Sequence, residues 1–191
     1  MLYYKPVCQQ LTSNKRGANT MSKSQTTLKE KQKFYELLKS GKFADMIKES
    51  AKQGKVNNSN EVYNVIKPLT AQESDVEQFW VLFLDAKNNI LEISMMFKGS
   101  ITSASVYPRE LIKKVLETKA AAIICCHNHP SGSPEPSSED IELTFQLLIA
   151  LKSIGVSFHD HSVIGDNRHY SMADHGIMAS LNDKYNRLIR G

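Results

Sequence analysis

The sequence has little cysteine, no long apolar run and no internal repeat, and each lack removes a class of protein. Cys8 is isolated and Cys125 and Cys126 are adjacent within an apolar run, which suits reduced thiols rather than a disulfide framework. No stretch approaches the roughly 18 consecutive apolar residues of a membrane-spanning helix, so no membrane partner is expected. The opening "MLYYKPVCQQLTSNKRG" lacks the order of a secretion signal, in which a charged region precedes an apolar one. The expected compartment is therefore the cytoplasm. Also missing is a basic stretch interleaved with aromatics, the pattern of a nucleic-acid platform.

What is present is ample apolar material: 41% of the 191 residues are hydrophobic, enough for one ordinary domain and an appendage. Charge is uneven. Residues 1–55 carry 12 Lys+Arg against 4 Asp+Glu, whereas the rest carries 12 against 16. The basic surplus can touch DNA phosphates or another acidic surface, although lysines scattered around a helix more often form a solvated face.

Residues 1–24 are polar and show no period, which predicts a disordered tail. Over 25–55, "LKEKQKFYELLKSGKF" and "KFADMIKESAKQG" have helical apolar spacing and stop at Gly41 and Gly54, which predicts a short basic helical segment. A helix is expected from near Asn60 to Pro68. "EQFWVLFLD" follows, with apolar residues at both parities, as a strand covered on both faces requires. "AKNN" reads as a turn and "ILEISMMFKG" as the partner strand, with a further strand over "SITSASVY". Pro108 opens the helix "RELIKKVLETK". "AAAIICCHNH" is the next strand, "SSEDIELTFQLLIALKSIG" a helix, "VSFHDHSVIG" a strand, and "HYSMADHGIM" the start of the C-terminal helical end. Strands alternating with helices after a hairpin imply an α/β sandwich with a mixed sheet over 56–178; 179–191 is read as a C-terminal tail or helix end.

The informative stretch is "IICCHNHPSGSPEPSSEDIELT". Side chains two apart on a strand share a face, so His127 and His129 can present two imidazoles to one point. Alone, such a pair arises by chance. The Pro- and Gly-rich loop then reverses the chain and delivers Ser137, Ser138 and Asp140 at a helix start, where Asp140 can supply a third, anionic ligand to a metal. Ser137-x-x-Asp140 is equally a capping box, in which the serine hydroxyl and the acid satisfy the first free amides of the helix. The two roles divide if Ser138 caps the helix and leaves Ser137 and Asp140 to face the histidines. A second pair, His159-x-His161, lies on the following strand, where hydrogen bonding to the ligands is a commoner role than ligation. Cys125 shares the parity of the histidines, but both cysteines read as small core residues.

His127-x-His129-x7-Ser137-x2-Asp140 resembles the JAMM signature of the JAB/MPN metallopeptidase superfamily, and "HNHPSGSPEPSSEDIELT" is similar to its RadC-like branch. The resemblance extends from about Val56 to Ile177. It implies the JAB/MPN (cytidine deaminase-like) α/β sandwich, a Zn2+ held by His127, His129 and Asp140, Ser137 steadying an oxyanion, and a glutamate acting through a metal-activated water. Glu77, just ahead of the first strand, best matches that glutamate, with Glu73 and Glu92 as rivals; Asp160 and His161 are candidates for supporting the ligands from behind. The activity implied is zinc-dependent hydrolysis of a peptide or isopeptide bond in a protein or peptide substrate. The alternative is a DNA-associated accessory or repair protein that keeps the metal without peptidase activity. Residues 25–55 are shorter than the helical DNA-binding region that precedes the domain in RadC-like proteins, and Asn128 stands where eukaryotic relatives usually carry Ser or Thr.

Overall fold

The computed structural model describes residues 23–52, 54–71, 74–99 and 107–190. The tail expected over 1–24 lies almost wholly outside these, as do Glu73 and the strand expected over "SITSASVY". Among the described residues are six helices and five strands: α1 (Lys23–Lys39), α2 (Lys42–Ala51), α3 (Ser59–Thr70), β1 (Gln78–Leu84), β2 (Ile90–Lys98), α4 (Pro108–Thr118), β3 (Ala122–Asn128), α5 (Ser138–Ser153), β4 (Ser157–Gly165), β5 (Arg168–Ser171) and α6 (Ile177–Arg190).

The strands form one sheet in the order β2-β1-β3-β4-β5. Every pairing is antiparallel except β3 with β4, whose α5 crossover makes them parallel. This is the mixed α/β sheet expected. All seven residues of β1 are buried, because α4, α5 and α6 cover one face of the sheet and α3 the other. Phe79, Val81 and Phe83 join Leu111, Leu147 and Leu181 on the first face, while Trp80, Leu82 and Leu84 join Val62, Ile66 and Leu69 on the second. The α2 residues Ala44, Ile47 and Ala51 extend the second core from its rim.

Three details depart from the sequence reading. Helix α3 runs through Pro68 to Thr70, since its last turn buries Leu69 and Thr70. "HYS" is part of a strand rather than a helix start. It forms β5, which pairs with β4 across Asp166-Asn167, Asp166 taking a positive φ of 27°, a conformation short polar residues tolerate better than most. Lastly, the β3–β4 register shifts between Ile123 and Ile124, whose partners are Phe158 and Asp160. The residue left over is His159. Phe158 and His161 thus turn to one face and Asp160 to the other, so the second histidine pair does not converge.

Candidate metal centre

The C-terminal end of β3 and the N-terminus of α5 meet beneath the "PSGSPEP" loop, the reversal that the sequence predicts. Gly132, with φ 85°, makes the turn, its amide donating to the His129 carbonyl at 3.0 Å. The loop lies tightly on the β4–β5 hairpin: a Cβ on Gly165 would stand 2.2 Å from the Gly132 carbonyl oxygen.

Beneath that loop His127 Nε2 stands 2.9 Å from His129 Nε2 and 3.1 Å from Asp140 Oδ1, and His129 Nε2 stands 3.4 Å from Asp140 Oδ2. Ligand atoms about 2.0–2.1 Å from a tetrahedral metal are roughly 3.3 Å from one another, so the spacing suits a first-row cation. His127, His129 and Asp140 form a group able to hold a metal ion.

The hydrogen bonds decide which nitrogens carry protons. Thr144 Oγ1 lies 2.5 Å from the Asp140 carbonyl; a carbonyl only accepts, so the hydroxyl proton is spent there. The hydroxyl must then accept from His161 Nδ1, 2.6 Å away. His161 Nε2 is left without a proton and accepts from His127 Nδ1 at 2.8 Å. The chain ends with a lone pair on His127 Nε2. On the other side, His129 Nδ1 donates to the Ser133 carbonyl at 2.9 Å, which leaves neutral His129 with a lone pair on Nε2 as well. With both imidazoles neutral, two nitrogen lone pairs and a carboxylate face one another with no hydrogen among them, an arrangement that suits a cation.

Charge agrees with geometry. Burial pushes the Asp140 carboxyl up, but His127 and His129 outweigh it and hold Asp140 well below the usual carboxylate range. Asp140 raises His129 above its ordinary value, against the opposing effect of burial, and Glu77 adds to the rise. Burial keeps His161 far below the histidine range, so it stays neutral and can accept from His127.

Asp140 need not choose between cap and metal: one oxygen is taken by the cap and the other faces the histidines. Ser137, not Ser138, caps α5, accepting from the Asp140 amide at 3.1 Å while Asp140 Oδ2 accepts from the Ser137 amide and hydroxyl at 2.8 and 2.6 Å. Oδ1 is left to face His127. The Ser138 hydroxyl instead turns outward to Glu139, correcting the expected division of roles.

Of the other candidates, His161 joins the centre through His127, whereas Asp160 accepts from Ser162 Oγ and the Ala173 amide on the opposite face. His159 is exposed and bonds to Asn88. Glu77 is half-buried at the foot of β1, close enough to act on His129. Glu92 pairs with Phe83, four residues along β1 from the Phe79–His127 pair, and its carboxylate is engaged by Lys114 at 2.7 Å and Ser94 at 2.5 Å. Cys125 and Cys126 are fully buried on opposite faces, their thiols pushed up by burial. Beside His129 a cleft of about 290 Å³ opens, lined in part by Lys67, Asn128, Pro130 and Asp166. Thr144 was missed in the sequence, though it stands one helical turn after Asp140 and so on the same face.

Residues 56–177 match the family of the RadC-like JAB domain. The chain belongs to that family. Relatives of this RadC-like chain include a UPF0758 protein of Shewanella pealeana, 41% identical over 133 residues that make up 70% of this chain and 59% of the relative. A UPF0758 protein of Shewanella piezotolerans is 42% identical over 129 residues, 68% of this chain and 57% of the relative. Another, of Shewanella baltica, is 51% identical over 100 residues, 52% of this chain and 44% of the relative. The RadC-like chain therefore spans roughly half the length of the curated relatives it matches.

Proposed function

We propose that this RadC-like domain is a zinc-dependent hydrolase that cleaves a peptide or isopeptide bond. The observation that supports the reading is the donor arrangement: with both imidazoles neutral, two histidine lone pairs and an ionised, capped aspartate converge on one point. His127, His129 and Asp140 would hold Zn2+, which when bound polarises a carbonyl and lowers the pKa of water to about 7. Two neutral imidazoles and one carboxylate would leave that ion a net charge near +1, which sustains this effect.

The chain's own groups supply the rest. Glu77 is our candidate for taking a proton from water and returning it to the leaving amine. Ser137 would serve an oxyanion by turning its hydroxyl from Asp140 Oδ2, a contribution on the order of 3 kcal/mol. The cleft beside His129 is a candidate for receiving a polypeptide segment.

The test is metal content by mass spectrometry on protein purified without a metal-affinity tag. Wild type is expected to carry close to one equivalent of zinc and His129→Ala little. Wild type with less than about one-tenth of an equivalent would end the zinc reading. Peptide-library digestion with Glu77→Gln then tests the base. The second reading, a DNA-associated accessory protein, rests on the positive surplus of residues 1–55. It predicts DNA retention that weakens steeply with salt and disappears on deletion of that segment.

A further inference from the structure

The β1–β3 ladder ends at the pair Phe79–His127. Beyond it β3 leans toward β4, and the His129 amide donates to the Ile164 carbonyl at 2.8 Å. The segment that leads into β1 is thereby left without a strand partner on this side, although Gln78 is only 3% exposed. The side chain of Asn128 takes the partner's place. Its Oδ1 accepts from the Gln78 amide at 2.9 Å, and its Nδ2 donates to the Val76 carbonyl at 3.0 Å. Both partners dictate this orientation of the amide, because an N–H must meet the oxygen and a carbonyl the nitrogen.

The residue between those two anchors is Glu77. Its own carbonyl accepts from the Gly99 amide at 2.9 Å, so three successive backbone groups are held and the side chain departs from a fixed point. Glu77 is half-buried, and its charge is felt by His129. Asn128 is 5% exposed and stands between the two histidines in sequence, facing away from both in the strand's alternation. It is the one side chain between them that can tie the histidine strand to the glutamate segment. A hydroxyl in its place could not reach one carbonyl and one amide two residues apart with separate arms.

We propose that Asn128 is a positioning residue for Glu77, its amide clamping the backbone on both sides and so setting where the carboxylate stands relative to His129. The proposal rests on the reading of Glu77 as the base. It explains why a buried polar side chain interrupts the histidine pair, and why its two hydrogen bonds among the described residues both go to backbone.

The test compares the full chain as wild type, Asn128→Ala, Glu77→Gln and the double variant, each loaded with zinc. Zinc content should stay near one equivalent in all four, since no proposed ligand is altered. Amide hydrogen exchange at Gln78 should quicken at least about tenfold in Asn128→Ala, with or without zinc. On a synthetic peptide library kcat should fall by roughly ten- to a hundredfold with KM within about twofold, the cost of a misplaced group. The double variant should be no slower than Glu77→Gln. Unchanged Gln78 exchange, or a double variant slower by the full Asn128→Ala factor, overturns the proposal while leaving the base reading intact. Cleavage by Glu77→Gln equal to wild type removes the base reading, and the proposal with it. The isosteric Asn128→Asp guards against misfolding of the alanine variant: it keeps the acceptor for Gln78 and loses the donor to Val76, so Gln78 should stay protected while kcat still falls.

Discussion

At the scale of single residues, the His127 lone pair depends on a hydroxyl that touches neither histidine 127 nor 129. Thr144 spends its proton on the Asp140 carbonyl and so orders the tautomers of His161 and His127 in turn. Thr144→Val keeps the shape and removes the hydroxyl, and zinc affinity is expected to fall about tenfold or more, as for other residues that orient metal ligands. Thr144→Ser should retain it; competition with a chromophoric chelator measures both. His129 carries a pH dependence. In the metal-free protein Asp140 raises its pKa above 6.5, so the pair's stabilisation is complete below that ordinary value and is lost as pH rises through the raised one. Zinc has the opposite preference, because a ligand nitrogen must be unprotonated. Thermal melts from pH 6 to 9 should show the increment added by zinc growing with pH; an increment that shrinks would contradict the assignment of His129 as a ligand.

At the scale of elements, the start of α5 and the turn between β4 and β5 hold the centre together. Ser137→Ala removes the cap and the hydroxyl that steadies Asp140, an expected loss of about 1 kcal/mol, or roughly 2–4 °C in melting temperature. Zinc affinity should fall in the same variant, because Asp140 loses a donor that orients it. Ser138→Ala should change neither, since the Ser138 hydroxyl reaches only Glu139 in solvent. Gly165→Ala is more severe. Its Cβ would meet the Gly132 carbonyl oxygen at 2.2 Å and the Pro134 nitrogen at 2.7 Å, both backbone atoms. Denaturant unfolding is expected to show a loss of roughly 3 kcal/mol or more. The hairpin is nonetheless weakly marked in the sequence. Asp166-Asn167 carries turn chemistry, but the strand after it is only four residues long, too short for its two-residue period to stand out from the helix pattern that follows.

At the scale of the whole molecule, the sheet separates two cores, and the N-terminal helices contribute to only one of them. Ile47, with Ala44 and Ala51, packs against the core beneath α3, and Lys48 lies 5.3 Å over the Trp80 ring. Helix α2 is thus part of the folded unit as well as a carrier of positive charge. Deleting residues 1–39 should leave the melting temperature within a few degrees. Deleting residues 1–55 should lower it further, since even partial burial of an Ile side chain is worth about 1 kcal/mol. A DNA-retention test on that deletion therefore needs the shorter one beside it. No described helix is long and apolar enough to cross a membrane.

What the sequence determined by itself was what short-range periodicity and capping chemistry can encode. The alternation of helices and strands, the doubly buried β1, and the convergence of His127, His129 and Asp140 were all readable, because a strand's two-residue period and one loop reversal are enough to bring those three together. Tertiary structure decided the rest. His161 reaches His127 across 34 residues and Asn128 reaches Gln78 across 50, and both contacts depend on the register of paired strands. The leftover residue in the β3–β4 pairing separates His159 from His161, which the regular alternation of a lone strand would have put on one face. Ser137 and Ser138 were interchangeable as caps until the loop's path placed one of them at the end of α5. The partners that orient the candidate metal ligands come from sheet register, and register is a property of the assembled chain.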